Sequence, residues 1–402
     1  MTGVAPHGDP PVQWDEKTNI RWKVPLNGVS HASPIVWGDR VFVLTVVPAG
    51  GSGTAPPEKR GYISGTFSTE NVFRFEILAL SRSDGSLLWR RTARVEAPHE
   101  GRHDDGSWAS CSPVTDGEQV IASFGSRGIY CYDMEGNLLW EKDFGEMRIR
   151  YQYGESSSPA LYQDKLIIQW DHEGRSFIAA LDKRTGREIW RVNRTDGTSW
   201  ATPLVIEHNG KKQVVACAIR RVRSYDLETG AELWDTRDMT AGPIPSPVGA
   251  DGVVYLTGGY RESILQAISL EKAHGNAAGS NAIVWEHDSD TPYVSSPLLY
   301  NGYLYFVKDY KNFLSCFNAR TGEPYYTRKR LSGITDIYAS PVAARGRVYL
   351  AGRNGVILVI RHGPQLEVLA KNVLDDNFDA SPAVVGNELY LRGHKYLYCI
   401  AP

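Results

Sequence analysis

The densest group of side chains suited to acid–base or metal chemistry lies at residues 99–108, which read His-Glu-Gly-Arg-His-Asp-Asp-Gly-Ser-Trp. His99 and His103 are four residues apart, as in a helical metal-binding pair, but the glycines and the two aspartates argue against a helix. His103, together with His172 and Glu173, is a candidate general base for a lyase or a hydrolase. The alternative is that these side chains make structural hydrogen bonds between neighbouring repeat units.

No signature of a common enzyme class accompanies these residues. The sequence contains none of HExxH, GxSxG, GxGxxG or a Walker A loop, and it therefore indicates no nucleophile and no nucleotide site. The five cysteines are scattered and form no CxxC pair, which argues against a zinc site, a redox pair or a disulfide scaffold. We therefore predict no metal site and no cofactor.

A weak calcium-like spacing occurs at residues 375–379, which read Asp-Asp-Asn-Phe-Asp. Ala380 stands where a calcium-binding loop needs glycine, and Gly386 stands where it needs a bidentate glutamate. A solvated connection between strands is the favoured interpretation, with bound Ca²⁺ as the alternative.

The charge balance excludes other classes of protein. The 44 Lys and Arg residues against 46 Asp and Glu residues give a net charge of −2, whereas a nucleic-acid-binding protein needs a surplus of cations. No apolar run approaches the roughly 18 residues of a membrane-spanning helix. No basic stretch followed by an apolar run opens the chain, so the sequence predicts no export signal by itself.

A repeated sequence motif identifies the β-strands that position the candidate residues. A Ser/Thr-Pro pair followed by an apolar strand occurs eight times, and after a first interval of 79 residues the spacings are 46, 44, 44, 50, 44 and 41. The pairs begin at Ser33, Ser112, Ser158, Thr202, Ser246, Ser296, Ser340 and Ser381.

Each repeat also ends in a recognisable tail. The pattern D-x-x-T-G-x-x-x-W occurs at residues 182–190 and 226–234, and Trp89, Trp140 and Trp285 hold the same place in other repeats. Cys131, Cys316 and Cys399 fall in another repeat column, whose other members are small or aliphatic, so we expect them to be packing residues. Short strands and tight turns in every repeat predict four β-strands per unit and almost no helix.

Eight four-stranded repeats predict an all-β protein, an eight-bladed β-propeller formed by residues 1–402 as a single domain. The last repeat lacks its tail, and residues 19–26, which contain Trp22, are predicted to complete the eighth blade and close the ring. Residues 48–73 are an insertion in blade 1 and a candidate lid.

The longer connections of such a propeller share one face, and binding residues concentrate in loops of this kind. There we expect a mixed ring of aromatic, basic and acidic side chains suited to a sugar or an anionic ligand. The alternative is that the aromatic side chains plug the central channel. The candidate ligand-binding residues are His31, Trp108, Arg127, Glu155, His172, Trp200, Arg220, Arg261, Tyr293, Lys311, Tyr338 and Asp379. The candidate catalytic residues are His103, His172, Glu155 and Asp379.

These repeats and tails resemble the PQQ-like, or quinoprotein-type, β-propeller family over nearly the whole chain, and most of all its BamB-like exported members. The resemblance implies a periplasmic or extracellular protein. The members that bind PQQ stack it against a disulfide between adjacent cysteines, with Ca²⁺ nearby. No two cysteines are adjacent here, which argues against PQQ.

Two functions follow as hypotheses. The first is a monomeric binding or scaffold module that recognises a protein partner or a glycan through its long-loop face, as the resemblance implies. The second is a carbohydrate-active lyase, hydrolase or oxidoreductase with its site in the central funnel. A deep pocket with a histidine or carboxylate of perturbed pKa would favour the enzyme.

Overall fold

The computed structural model describes residues 3–50, 59–60, 66–68, 70–237 and 239–402. These residues contain no α-helix, and their helical elements are the single 3-10 turns Gly125–Arg127, Arg150–Gln152 and Asp309–Lys311. No helix in this part of the chain is both long and apolar enough to cross a membrane. Short antiparallel strands and tight turns make up most of the chain, as the repeat predicts.

Val24–Trp200 is one compact unit and contains three four-stranded antiparallel sheets. The strands of each sheet follow one another along the chain. Sheet 1 consists of Ile35–Trp37, Arg40–Pro48, Phe73–Ser81 and Leu87–Glu96; sheet 2 of Val114–Thr115, Gln119–Ser123, Ile129–Asp133 and Leu138–Lys142; and sheet 3 of Ala160–Tyr162, Lys165–Trp170, Phe177–Asp182 and Glu188–Asn193.

Met1–Lys23 and Ala201–Pro402 make up the second compact unit, which accounts for five further sheets, and the last of these takes an edge strand from residues 20–25. Sheet 4 consists of Leu204–His208, Lys211–Ala218, Arg221–Asp226 and Glu232–Thr236, and sheet 5 of Val248–Ala250, Val253–Gly258, Ile264–Ser269 and Ile283–His287. Sheet 6 consists of Leu298–Tyr300, Tyr303–Lys308, Phe313–Asn318 and Pro324–Arg330, and sheet 7 of Val342–Ala344, Arg347–Ala351, Val356–Arg361 and Val368–Val373. Sheet 8 consists of Ala383–Val385, Glu388–Arg392, Tyr396–Ile400 and Ile20–Pro25. Two short parallel strands extend these sheets, Gly275–Asn276 beside Glu232–Thr236 and Val4–Ala5 beside Val342–Ala344.

The eight sheets confirm the predicted all-β, eight-bladed β-propeller. The strand predicted at residues 19–26 is Ile20–Pro25, and it completes sheet 8 beside Tyr396–Ile400. Trp22 on this strand is 7% exposed, and its ring lies 5.8 Å from that of Tyr390. Burial of one such indole stabilises the fold by about 5 kcal/mol. That residues 1–402 form a single domain stays a prediction.

In several repeats the tail tryptophan joins its sheet to the next through a turn glycine of that next sheet, whereas the Trp234 indole donates to Gln213 Oε1 of its own sheet at 3.0 Å. The indole Nε1–H donates to a backbone carbonyl of the following sheet, from Trp89 to Met134 O at 2.9 Å and from Trp140 to Lys183 O at 2.8 Å. The ring covers a turn glycine there, where an added Cβ would lie 2.6–2.7 Å from ring atoms and where φ is positive. The pairs are Trp89 with Gly136, Trp140 with Gly186 and Trp285 with Gly322.

The small-residue column lies directly opposite the tryptophan column. In sheet 2 Cys131 pairs with Trp140, in sheet 3 Ala180 pairs with Trp190, and a β-bulge follows each pair. The same register places Ala79 opposite Trp89 in sheet 1. All five cysteines are buried and unbridged. Cys131 therefore has the packing environment that the repeat predicts.

The Ser/Thr-Pro motif makes a second, inner link between sheets. Each serine hydroxyl accepts the backbone N–H of the corresponding residue of the preceding repeat, at 2.9–3.0 Å. One series runs through Ser33, Ser112 and Ser158, and a second through Thr202, Ser246, Ser296, Ser340 and Ser381. The hydroxyl satisfies an amide that has no strand partner, which explains why the motif recurs.

The predicted insertion at residues 48–73 connects the second and third strands of sheet 1, and it lies partly outside the described residues. Its described strands, Lys59–Arg60 and Thr66–Ser68, form a three-stranded sheet with Arg102–His103. The insertion therefore contacts the connection between sheets 1 and 2. Its role as a lid stays a prediction.

Candidate functional site

A pocket in the unit Val24–Trp200 brings together several of the residues that the sequence singles out. It is a partly open cavity of about 30 Å³ beside the connections that leave sheets 1 and 2. We call it the acidic pocket, and it is lined in part by His99, Glu100, Trp108, Cys111, Arg127 and Glu155.

Glu155 is held in the acidic pocket by the 3-10 turn Gly125–Arg127. The backbone N–H of Ser126 donates to one carboxylate oxygen at 2.6 Å, and the Ser126 hydroxyl donates to the other. Gly125 has φ +55°, and a Cβ there would lie 1.6 Å from Glu155 Oε2. Only glycine therefore leaves room for this carboxylate against the backbone.

His99 and Glu100 reach the acidic pocket from the connection between sheets 1 and 2. The His99 Nε2 lies 2.6 Å from Met147 O and 3.8 Å from Glu155 Oε1. Glu100 accepts the backbone N–H of Ile149 on both carboxylate oxygens, at 3.1 and 3.2 Å. The three side chains thus form one cluster.

Burial changes the acid–base chemistry of this cluster. The loss of water around Glu100, together with the nearby charge of Glu155, raises the pKa of its carboxyl to about 8. Burial also raises the pKa of Glu155, against the opposing hydrogen bonds from Ser126 and the charge of His99. The pKa of the Cys111 thiol rises to about 12, because it is buried near Glu155. Burial therefore favours the protonated form of Glu100 and the thiol form of Cys111.

Three predicted binding residues serve to shape the acidic pocket. Arg127 is 8% exposed, and its Nε and Nη2 both donate to Ala97 O, at 3.0 and 2.7 Å. Trp200 donates its indole N–H to Gly154 O at 2.8 Å, next to Glu155. Trp108 donates to Glu100 O at 3.2 Å. Each of these bonds fixes the backbone beside an acidic residue.

The two histidines predicted as general bases have separate surroundings. His172 is buried, and both ring nitrogens face backbone groups, with Nδ1 accepting from Arg148 N at 3.0 Å and Nε2 3.3 Å from Arg175 O. Burial lowers the pKa of His172, so the neutral ring is favoured. His103 lies outside the lining of the acidic pocket, with Nδ1 2.9 Å from Asp104 Oδ1. These contacts are structural hydrogen bonds, and a catalytic role for either histidine stays a prediction.

A different group of predicted residues meets in the unit of Met1–Lys23 and Ala201–Pro402. Tyr260 and Tyr293 stack with their ring centres 5.1 Å apart, Tyr293 lies 6.0 Å from Tyr310, and Tyr310 lies 5.5 Å from Tyr338. A guanidinium covers each end, Arg261 over Tyr260 at 5.1 Å and Arg353 over Tyr338 at 4.6 Å. We call this the tyrosine–arginine band, which consists of Tyr260, Arg261, Tyr293, Tyr310, Tyr338 and Arg353.

Asp379 anchors one end of the band. Its buried carboxylate lies 2.7 Å from Arg353 Nε and 2.5 Å from His394 Nε2. The carboxylate holds the guanidinium over Tyr338, so Asp379 acts through Arg353. Its neighbours in the calcium-like segment have partners of their own, Lys395 Nζ at 3.1 Å for Asp375 and Lys395 N at 3.0 Å for Asp376. Bound Ca²⁺ stays a prediction.

The remaining predicted residues lie at the edges of these two groups. Lys311 is exposed and directly follows Tyr310 of the band. Arg220 is exposed, 3.6 Å from Glu262. His31 donates its backbone N–H to Ser107 Oγ at 3.1 Å, and it does not line the acidic pocket.

Among the members of these groups that were not predicted as site residues are His99, Glu100, Tyr260, Tyr310 and Arg353. His99 and Glu100 belong to the polar stretch at residues 99–108, but the pattern there drew attention to His103. Tyr310 precedes Lys311, which was predicted. A search for aromatic residues in the same loops as the predicted cations would have found it.

Comparison with known proteins gives the family and the fold. Residues 74–327 and 218–401 match a family model described as outer membrane protein assembly factor BamB. The crystal structure of BamB from Moraxella catarrhalis has a TM-score of 0.61 and 15% identity, covering 94% of this chain and 98% of that one. The computationally designed Ika8 protein has a TM-score of 0.59 and 13% identity, covering 86% of this chain and 98% of that one. At these identities the two structures support the fold alone.

One curated relative is an enzyme. Tetrathionate hydrolase from Acidithiobacillus ferrooxidans is 24% identical over 314 residues, which are 72% of this chain and 56% of that protein. The chain therefore spans little more than half the length of this relative.

Proposed function

Because the chain belongs to the family described as outer membrane protein assembly factor BamB, we propose that it is a binding module that recognises a protein partner through the tyrosine–arginine band. The observation that carries this proposal is the unbroken series of ring contacts from Arg261 to Arg353. We also propose, from the family description, that the protein works outside the cytoplasm.

The composition of the band suits a protein partner. Tyrosine and arginine are the side chains that most often dominate binding energy at protein interfaces. Tyr310 is 55% exposed, and Arg261 and Lys311 are exposed beside the stacked rings. The ion pair from Asp379 to Arg353 fixes the guanidinium in advance, which lowers the entropic cost of binding. These exposed cations favour a partner with an acidic surface.

Photo-cross-linking tests the proposal in the cells that produce the protein. A benzophenone amino acid replaces Tyr310, or as a matched control Tyr325, a 37% exposed tyrosine on an outer strand of sheet 6. We expect a specific protein adduct from position 310 and none from position 325, identified by mass spectrometry. An equal pattern from both positions, or carbohydrate in place of protein at position 310, would contradict the proposal.

A second candidate function is hydrolysis in the acidic pocket. The partly buried carboxyl of Glu100, with its pKa of about 8, is the type of group that donates a proton at neutral pH. The likeness to tetrathionate hydrolase suggests tetrathionate as the first substrate to test. If the pocket is catalytic, the purified protein consumes tetrathionate and Glu100→Gln loses at least 100-fold in rate. No turnover by the wild-type protein would remove this candidate.

A further inference from the structure

Three potential metal ligands converge in the acidic pocket. His99, Glu100 and Glu155 each offer one ligand atom, and these atoms lie within 4.8 Å of one another. The side chains of His99 and Glu155 are only 15% and 14% exposed. First-row divalent ions are commonly coordinated by imidazole and carboxylate ligands such as these.

Hydrogen bonds hold each of these side chains in place. His99 Nε2 lies 2.6 Å from Met147 O and 3.8 Å from Glu155 Oε1. Glu155 accepts from Ser126, and Glu100 accepts from the amide of Ile149. Carboxylate oxygens that accept one such bond retain a further lone pair. Metal ligands in proteins are typically held by outer hydrogen bonds of this kind.

Two carboxyl groups lie close together in the pocket, and a divalent cation that displaces their protons would be bound by two anionic donors. The nearest guanidinium, that of Arg127, directs its Nε and Nη2 to Ala97 O. Gly125 leaves a space against the backbone that fits the Glu155 carboxylate and no Cβ.

We propose that His99, Glu100 and Glu155 form a binding site for a first-row divalent cation of the Zn²⁺ or Mn²⁺ type. The ion joins the connection that leaves sheet 1 to the connection that leaves sheet 2. Three protein ligands leave at least one coordination position open to the cavity, as in metal sites that bind a substrate or water.

Metal titration of the chelator-treated protein tests this site. We expect calorimetry with Zn²⁺ and with Mn²⁺ to show one saturable site, and Co²⁺ to give a ligand-field absorption spectrum. Glu155→Gln and Glu100→Gln should each weaken binding at least 30-fold. The matched control is Asp104→Asn, at the exposed member of the group of His103, Asp104 and Asp105, which offers the same donor types outside the lining of the acidic pocket. This control should leave the affinity unchanged.

The outcomes separate the proposal from a surface artefact. Circular dichroism establishes that each variant is folded, and if Glu155→Gln unfolds, Glu100→Gln carries the test. No saturable binding by the wild-type protein at 100 μM metal, on the order of the weakest useful sites, would overturn the proposal. Equal weakening by Asp104→Asn and Glu100→Gln would overturn it as well.

Discussion

The acidic pocket and the tyrosine–arginine band are built from the same kinds of connection but have opposite chemistry. In the acidic pocket, buried carboxylates lie close together, and burial raises the pKa of both Glu100 and Glu155. In the band, Tyr310 and Arg261 are exposed, Tyr338 is buried, and the Asp379 carboxylate pairs with Arg353 and lies 2.5 Å from His394 Nε2. The comparison shows that the repeat determines where a connection lies in the fold but does not determine which side chains the connection contains.

The largest effect should come from the glycine that makes room for Glu155. Gly125→Ala places a Cβ 1.6 Å from Glu155 Oε2 at a φ of +55°, so the carboxylate must move. We expect a loss of about 3 kcal/mol in the free energy of unfolding, measured by urea denaturation. The control is Gly210→Ala, at φ +75° with nothing within 4 Å of the new Cβ, which should cost only about 1 kcal/mol. Equal losses from both variants would show that Glu155 is not confined by the backbone.

A smaller effect should follow the protonation of Glu100. The pKa of Glu100 is about 8 in the folded protein and lower in the unfolded chain, so between those values the folded state binds more protons. The free energy of unfolding should therefore fall as the pH rises from about 5 to 8. Because Glu100 is only partly buried, we expect a change of about 1–2 kcal/mol after allowance for solvent screening.

Glu100→Gln should remove this slope in buffer that contains a chelator, since glutamine keeps the acceptor for Ile149 without the titration. Glu118→Gln, at an exposed glutamate of the same unit, should retain the slope. Denaturation at several pH values measures both variants. A wild-type slope that survives in Glu100→Gln would assign the pH dependence to another group.

The smallest effect on stability should occur in the band. Tyr310 is exposed, so Tyr310→Ala should change the free energy of unfolding by less than about 0.5 kcal/mol. Binding of the partner should nevertheless weaken at least 10-fold, because a central tyrosine is lost from the contact surface. Denaturation together with a binding titration separates the two effects. A large loss of stability without a loss of binding would make the band a packing feature.

The sequence predicted the β-propeller because the residue patterns that specify strands and turns are local and recur in every repeat. The order of strands within each sheet follows from the alignment of the repeats with one another, whereas the register that places Cys131 opposite Trp140 was not predicted. The reason for the Ser/Thr-Pro motif could not be predicted, because the bond from Ser112 N to Ser158 Oγ joins separate repeats.

Tyr293, Tyr338 and Arg261 were proposed from residue type and loop position, and the structure places all three in the tyrosine–arginine band. Their role in binding stays a prediction. Glu100 was not proposed, because its pKa depends on burial and on a glutamate 55 positions further along the chain. Trp200 was correctly placed in a connection, but its role in holding Gly154 O depends on packing that no pattern contains.

The most direct test of the central claim, that the band and not the acidic pocket binds the partner, is photo-cross-linking from both surfaces. Benzophenone at position 310 samples the band, and benzophenone at position 151, a 45% exposed tyrosine, samples the unit that holds the pocket. We predict a protein adduct from position 310 alone, unchanged when Glu155→Gln is added. An adduct from position 151 alone, or the loss of the adduct at position 310 in Glu155→Gln, would contradict the account.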